Sequence, residues 1–297
     1  VSIYRHVHVI INPASGPDRP VLGILNSIFH PADVDWDVFV TKKAGDARRY
    51  ALEAVAHGVD AVAVYGGDGT VNEAASGLVG TDVPLAILPG GTGNVLSVEL
   101  GIPGDLAEAC ALLCNNRSSV CKIDVGQVGS AYCLLSASVG FATAVIQGAD
   151  RATKQRLGTL AYVLAGLQAL RDPAMARYHL TLDGKQIERE GITCMIINSG
   201  HLGQAGWKIV PGIDLHDGLL DVIVIRRGDL GSMLSVAASV VTRSGSAHSL
   251  QHWQAREIDL VADPPQTVQV DGEILDKTPI TARVLPNALG ILVPKEA

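Results

Sequence analysis

Tyr65-Gly66-Gly67-Asp68-Gly69-Thr70-Val71-Asn72-Glu73 decides how this chain is read. It follows the apolar run at residues 60–65, short enough for a buried strand, and opens a helical segment near Val71. Three glycines permit a tight turn whose backbone N–H groups face an anion. The start of the helix adds its positive dipole end. Asp68 in such a turn would be repelled by phosphate unless a metal or a proton donor intervenes, a combination that fits Mg-nucleotide chemistry. Read without a ligand, the same turn is an ordinary strand–helix connection with Asp68 as the N-cap.

Pro89-Gly90-Gly91-Thr92-Gly93-Asn94 repeats the arrangement after the next apolar run, 83–88. Asn12-Pro13-Ala14-Ser15-Gly16 makes a third turn after the Val- and Ile-rich run 6–12. Turns that end successive strands lie on the carboxyl edge of one sheet, where open α/β sheets bind ligands. Between these turns, Trp36, Val38 and Val40 alternate as one face of a strand. Ala47, Tyr50, Ala51, Ala54 and Val55 follow amphipathic helical spacing, and Gly58 is placed to stop that helix. Short strands separated by helices imply a parallel sheet covered on both faces.

After about residue 122 the texture changes. Strand-like segments predominate at 122–128, 132–137, 177–183, 192–198, 219–226, 256–261, 267–270, 280–285 and 289–293. Turns such as Asp183-Gly184-Lys185 separate several of them. That density predicts a β-rich, sandwich-like second domain, interrupted by helical insertions near 153–171 and 229–242. The expected domains are therefore 1–124, α/β, and 125–297, β-rich, with a cleft between them.

The 297-residue chain has 30 acidic and 23 basic residues, a formal net charge of −7, and is 47% hydrophobic and 18% charged. Such a composition supports large cores and excludes a disordered or low-complexity chain. Without a basic excess to replace phosphate counterions, nucleic acid is not an expected partner. Five irregularly spaced cysteines with no C-x-x-C fit free thiols in a reducing compartment rather than a disulfide scaffold or a zinc ribbon. The sequon Asn116-Arg117-Ser118 reads as chance. With no signal-peptide pattern and no apolar run of about 18 residues or more, the expected location is cytoplasmic.

Standard nucleotide motifs are missing. There is no G-x-x-x-x-G-K-[ST], Gly66-Gly67-Asp68-Gly69 is not a dinucleotide G-x-G-x-x-G, and the protein-kinase signatures are absent. The resemblance lies elsewhere. Asn12-Pro13-Ala14-Ser15-Gly16, Thr41, 66–73, 89–94, Ile123-Asp124-Val125-Gly126, the run 211–221 and Val270-Asp271-Gly272-Glu273 follow one another in family order. Together they resemble the soluble lipid kinases of the diacylglycerol kinase catalytic-domain family, which includes sphingosine kinases. More distant NAD kinases share the Gly-Gly-Asp-Gly turn, but the later segments fit lipid kinases better.

The resemblance implies phosphoryl transfer from ATP to a lipid hydroxyl, with Mg²⁺, in a cleft between an NAD-kinase-like α/β domain and a β-rich domain. By position, Asn12, Thr41, Gly67, Gly69, Thr70, Glu73, Gly91 and Thr92 match nucleotide-binding residues. Asp68 matches a carboxylate at the phosphate and metal site, and Glu273 matches the general base. The run 211–219 resembles a structural-magnesium loop in which Asp217 gives a carboxylate while Asp214 and Leu219 give backbone oxygens. Asp124 would join that loop to Asp68 through waters; as an isolated residue it is a turn-capping Asp before Gly126. His216 reads either as a metal ligand or as a solvated loop histidine.

The expected acceptor is a diacylglycerol-like lipid presented at a membrane surface. A sphingoid base or another long-chain alcohol is the alternative within the fold; a NAD kinase with a soluble substrate is a different enzyme class, and a non-catalytic nucleotide-binding module is the remaining alternative. The family often carries a basic residue shortly after the position of Asn94, and Val95-Leu96-Ser97-Val98-Glu99 has none. Lys42 and Lys43 are placed to compensate. Arg151, Lys154 and Arg156 precede the apolar part of segment 153–171, which reads either as an interfacial helix or as a helix packed on the β domain. Peripheral binding at the inner membrane face and homodimer formation are further expectations of the resemblance.

Overall fold

In the computed structural model, which describes residues 4–114, 118–140, 175–201, 212–226 and 251–295, the chain forms two units. One comprises Val1–Val125, His201–Lys208 and Pro286–Ala297; the other comprises Gly126–Gly200 and Ile209–Leu285. The helical insertions expected at 153–171 and 229–242, and Asn116 and Arg117 of the sequon, lie outside the described residues.

The first unit alternates strand and helix: β1 (His6–Ile11), α1 (Val21–Phe29), β2 (Asp35–Val40), α2 (Asp46–His57), β3 (Ala61–Gly66), α3 (Asp68–Leu78), β4 (Leu85–Pro89), α4 (Val95–Glu99) and α5 (Leu106–Cys114). The strands run parallel in the order β2-β1-β3-β4. Every residue of β3 and β4 is buried, as expected of central parallel strands read as continuous apolar runs. On α2, Ala47, Ala51 and Ala54 are buried, and Gly58 ends the helix in the left-handed region at φ 67°. The face proposed on β2 is a different matter. Val38 and Val40 are 38% and 43% exposed, and only Trp36 is half-buried, packing edge-on against Phe29. β2 is the sheet edge, so the apolar side of its alternation has little to cover it.

The second unit begins within β5 (Ser118–Val128) and continues with β6 (Ala131–Cys133), β7 (Ser136–Gly140), β8 (Ala176–Leu182), β9 (Lys185–Gly191), β10 (Thr193–Ile197) and β11 (Leu220–Ile225). It ends with β12 (Gln251–Ala255), β13 (Glu257–Asp263), β14 (Thr267–Val270), β15 (Glu273–Lys277) and β16 (Ile280–Pro294). One antiparallel sheet has the order β12-β11-β10-β7-β14-β15; β16, β13, β8 and β9 form an antiparallel series in the other. Side chains of both, among them Val139, Tyr178, Leu180, Ile196, Val222, Leu260 and Val268, share one core. This is the sandwich expected from the density of short strands.

The two segments expected at 280–285 and 289–293 are one strand, β16. Its first part pairs with β13, and Ile291 lies beside Leu85 of β4 in parallel register. Leu289, Ile291 and Leu292 are fully buried. By packing, the segment from Pro286 groups with the first unit, since the latter part of β16 extends the α/β sheet. No helix among the described residues is long and apolar enough to cross a membrane.

Candidate active site

Parallel strands deliver their following loops to one edge, and the three glycine turns meet there. Asn12 continues the β1–β3 pairing, its N–H donating to Tyr65 O at 2.9 Å. Its Nδ2 donates to Thr70 Oγ1 at 2.8 Å, and its Oδ1 accepts the Ala14 N–H at 3.0 Å. Ser15 Oγ accepts the Gly67 N–H at 3.3 Å, and Gly90 N–H donates to Gly66 O at 3.0 Å. A Cβ built on Gly91 would stand 2.6 Å from Gly67 Cα, and one on Gly16 would stand 2.1 Å from Gly90 O. Only glycine permits these turns to touch, so the turns form one backbone-walled cradle.

The amides divide into two sets. Those of Gly67 and Gly91 brace the cradle, to Ser15 Oγ and to Asn94 Oδ1 at 3.1 Å respectively. The first bond of the α3 ladder runs from Val71 N–H to Gly67 O, so the Gly69 and Thr70 amides lie ahead of it, at the positive end of the helix. Thr92 is exposed on the second turn. Thr41 joins the same edge through its N–H to Ile11 O at 2.9 Å. Glu73 reaches it indirectly: its Oε2 accepts the Gly45 N–H at 2.9 Å, tying α3 to the loop that follows Thr41. Asp46 accepts the Lys42 and Lys43 amides in that loop at 2.9 and 3.1 Å.

Asp68 is the first residue of α3, and Gly67 occupies the N-cap position that the ligand-free reading gave to Asp68. Its Oδ1 instead accepts the Val95 N–H, at the start of α4, at 2.7 Å. Burial raises the Asp68 pKa above the ordinary carboxylate range, and the Val95 and Asn94 amides offset part of that rise. A desolvated carboxylate beside the amides at the start of α3 is a group that a cation would stabilise in its ionised form. Asp124 is buried within β5, not in a turn, and its Oδ1 accepts the Asn287 N–H at 2.8 Å, where φ of 52° bends β16.

A pocket of about 690 Å³ adjoins this edge, lined by Pro13, Ser15, Gly16, Arg19, Val40 and Tyr65 among others. Its size suits a small-molecule ligand. Arg19 went unremarked in the sequence. The signal was a cation seven positions after Asn12 in the first strand–helix connection, where Asp18 lines the same pocket.

In the second unit, Asp271 and Gly272 have φ of 47° and 97°, a two-residue hairpin turn that places Glu273 at the start of β15, exposed and paired with Val270. The turn is held by Asp271, whose carboxylate accepts the amides of Leu134, Leu135 and Ser136 at 2.7, 2.9 and 2.9 Å. Burial pushes its pKa up to about 6 against the opposing pull of those amides. In the loop before β11, Asp217 Oδ1 accepts the Leu219 N–H at 2.9 Å and Oδ2 accepts Gln254 Nε2 at 3.2 Å. Asp214 Oδ1 accepts the His216 N–H at 3.0 Å and lies 2.9 Å from His216 Nδ1. His216 is thus an exposed loop side chain engaged with Asp214.

Residues 6–128 match the model of the diacylglycerol kinase catalytic domain, and residues 136–293 match that of the YegS C-terminal NAD kinase beta sandwich-like domain. This chain belongs to the diacylglycerol kinase catalytic-domain family. A Stenotrophomonas maltophilia relative named "Probable lipid kinase YegS-like" is 31% identical over 88% of this chain and 87% of its own. A Bacillus subtilis relative named "Diacylglycerol kinase" is 28% identical over 98% of this chain and 97% of its own. A crystal structure described as a diacylglycerol kinase from Bacillus anthracis superposes with a TM-score of 0.81 at 26% identity, covering 99% of both chains. A Synechocystis protein, 34% identical, is longer, and the chain spans 54% of its length.

Proposed function

We propose that this protein transfers the γ-phosphoryl group of ATP to the hydroxyl of a diacylglycerol-like lipid. The observation that carries the reading is the contact of the Gly67 and Gly91 turns on the carboxyl edge, with the Gly69 and Thr70 amides ahead of the α3 ladder. Phosphates lie against 67–70 and 91–92, and Asn12 holds the Thr70 hydroxyl in place. The pocket beside Arg19 takes the remainder of the nucleotide. Thr41 borders the site, and Glu73 fixes the adjoining loop.

Mg²⁺ supplies charge neutralisation at the phosphates, and Asp68 is the carboxylate that would hold it. A second cation would be held by the loop of Asp214, Asp217 and Leu219. Glu273 accepts the proton of the lipid hydroxyl. The family match of Val270-Asp271-Gly272-Glu273 and the exposed carboxylate on a locked turn support that role. The acceptor is presented at a membrane surface, with the protein peripheral at its inner face and able to form a homodimer.

Radiolabelled ATP offered with diacylglycerol, a sphingoid base, a long-chain alcohol and NAD tests the reading. Labelled phosphatidic acid is the expected product. Label in NAD alone, or in nothing while ATP still binds, would overturn it.

A further inference from the structure

The other end of β1, away from the glycine turns, holds a second cluster of ligand-forming side chains. His6 and His8 project to the same face, and the parallel register sets His8 beside Asp37 of β2. His6 Nε2 and His8 Nε2 lie 3.2 and 3.4 Å from one and the same atom, Asp37 Oδ2. All three atoms are within 4.8 Å of one another, and this is the one such group of three among the described residues.

Donors held at about 2.0–2.1 Å around a tetrahedral zinc ion are separated by about 3.3–3.4 Å. The two spacings to Asp37 Oδ2 fall at about that separation. We propose that His6, His8 and Asp37 bind a divalent transition metal of the zinc class, which staples the edge strand β2 to β1. Two imidazoles and one carboxylate oxygen favour zinc, nickel, cobalt or copper over magnesium.

His8 is buried. Its ring packs 4.7 Å from Phe39 and 5.8 Å from the ring of His57 at the end of α2. His57 Nδ1 lies 2.6 Å from Glu53 O, so this nitrogen carries the proton and Nε2 keeps its lone pair. Water would complete the shell. Phosphoryl transfer plays no part in this proposal, and its test needs no kinase assay.

The test is calorimetric titration of the full chain with Zn²⁺ in excess Mg²⁺, which fills oxygen-only sites, together with thermal unfolding and the visible spectrum of the Co²⁺ form. The expected result is one zinc per chain, a raised Tm and the intense absorption of tetrahedral cobalt. His6 and Asp37 have side chains 40% and 62% exposed, so His6→Gln and Asp37→Asn retain the fold. Each should weaken Zn²⁺ binding by about tenfold or more, the least that disturbing a metal shell costs. Absence of zinc binding by the unmodified chain, or an affinity and cobalt spectrum unchanged in both variants, would overturn the proposal.

Discussion

Asp68 turns its carboxylate away from its own helix and onto the first amide of α4, 2.7 Å away. That bond survives in Asp68→Asn, because the amide oxygen can still accept it, whereas the charge is lost. Turnover should therefore fall by about 10²-fold or more, the scale of a group that orients metal or proton transfer, while Tm holds or rises as a buried charge disappears. Steady-state kinetics beside a melting curve checks both, and near-native turnover would remove Asp68 from the chemistry. Glu273→Gln separates the two carboxylates. It should lose about 10²–10⁴-fold in turnover, the range for general-base removal, with ATP affinity unchanged by equilibrium titration. Lost ATP binding would place Glu273 in the nucleotide site instead. At this scale the sequence was legible where a residue type is itself the mechanism, as with glycines that let two turns touch. It was silent on Asp271 and Arg19, whose partners are far away in the chain or only in the pocket they line. Nothing near Asp271 in sequence says that Leu134, Leu135 and Ser136 will aim their amides at it.

Elements differ in how much of their own stability they encode. β3 and β4 are buried along their whole length and read directly as apolar runs. β9, Lys185–Gly191, has no such signature: it is a polar edge strand beside β8, whose Arg177 and His179 pair with Glu188 and whose Arg177 also pairs with Glu190. Its identity is written in the strand it joins, as is that of β15, with four of five residues exposed. The loop before β11 is similar, since Asp217 is braced by Gln254 from β12, an element absent from the sequence reading. If that loop holds a cation, Asp217→Ala should abolish the Mg²⁺-dependent part of Tm and lower turnover together. Differential scanning calorimetry with and without Mg²⁺ measures this, and an unchanged Mg²⁺ response with full activity would mean that the loop binds no ion.

Over the whole molecule, Asp68, Asp221 and Asp271 are all held above the ordinary carboxylate range, with burial the largest cause in each. Such groups bind protons more tightly in the folded chain than in the unfolded one. Their stabilisation is complete below the unfolded pKa and is lost as pH rises through the folded one. Asp46, lowered first by the Lys42 amide and then by Arg49, acts in the opposite sense, but only as pH falls below the ordinary range. His8, lowered by burial, also opposes them, losing stability as pH falls through its unfolded value. A bare stability–pH curve mixes these terms, so the informative quantity is a difference. Asp271 alone moves from 3.8 to about 6, about two units, or roughly 3 kcal/mol at 1.36 kcal/mol per unit. Asp271→Asn cannot titrate, and its NH2 group cannot accept a backbone N–H as the hydroxyl oxygen of the protonated acid can, so it is the less stable chain at pH 4. As pH rises through 6 the native protein loses the Asp271 contribution and the variant does not, so the gap should narrow by up to about 3 kcal/mol. Urea unfolding of both chains at several pH values between 4 and 7.5 reads that gap directly. A gap that widens with pH would mean that the three amides outweigh burial, and that Asp271 locks the Glu273 turn as a permanent anion.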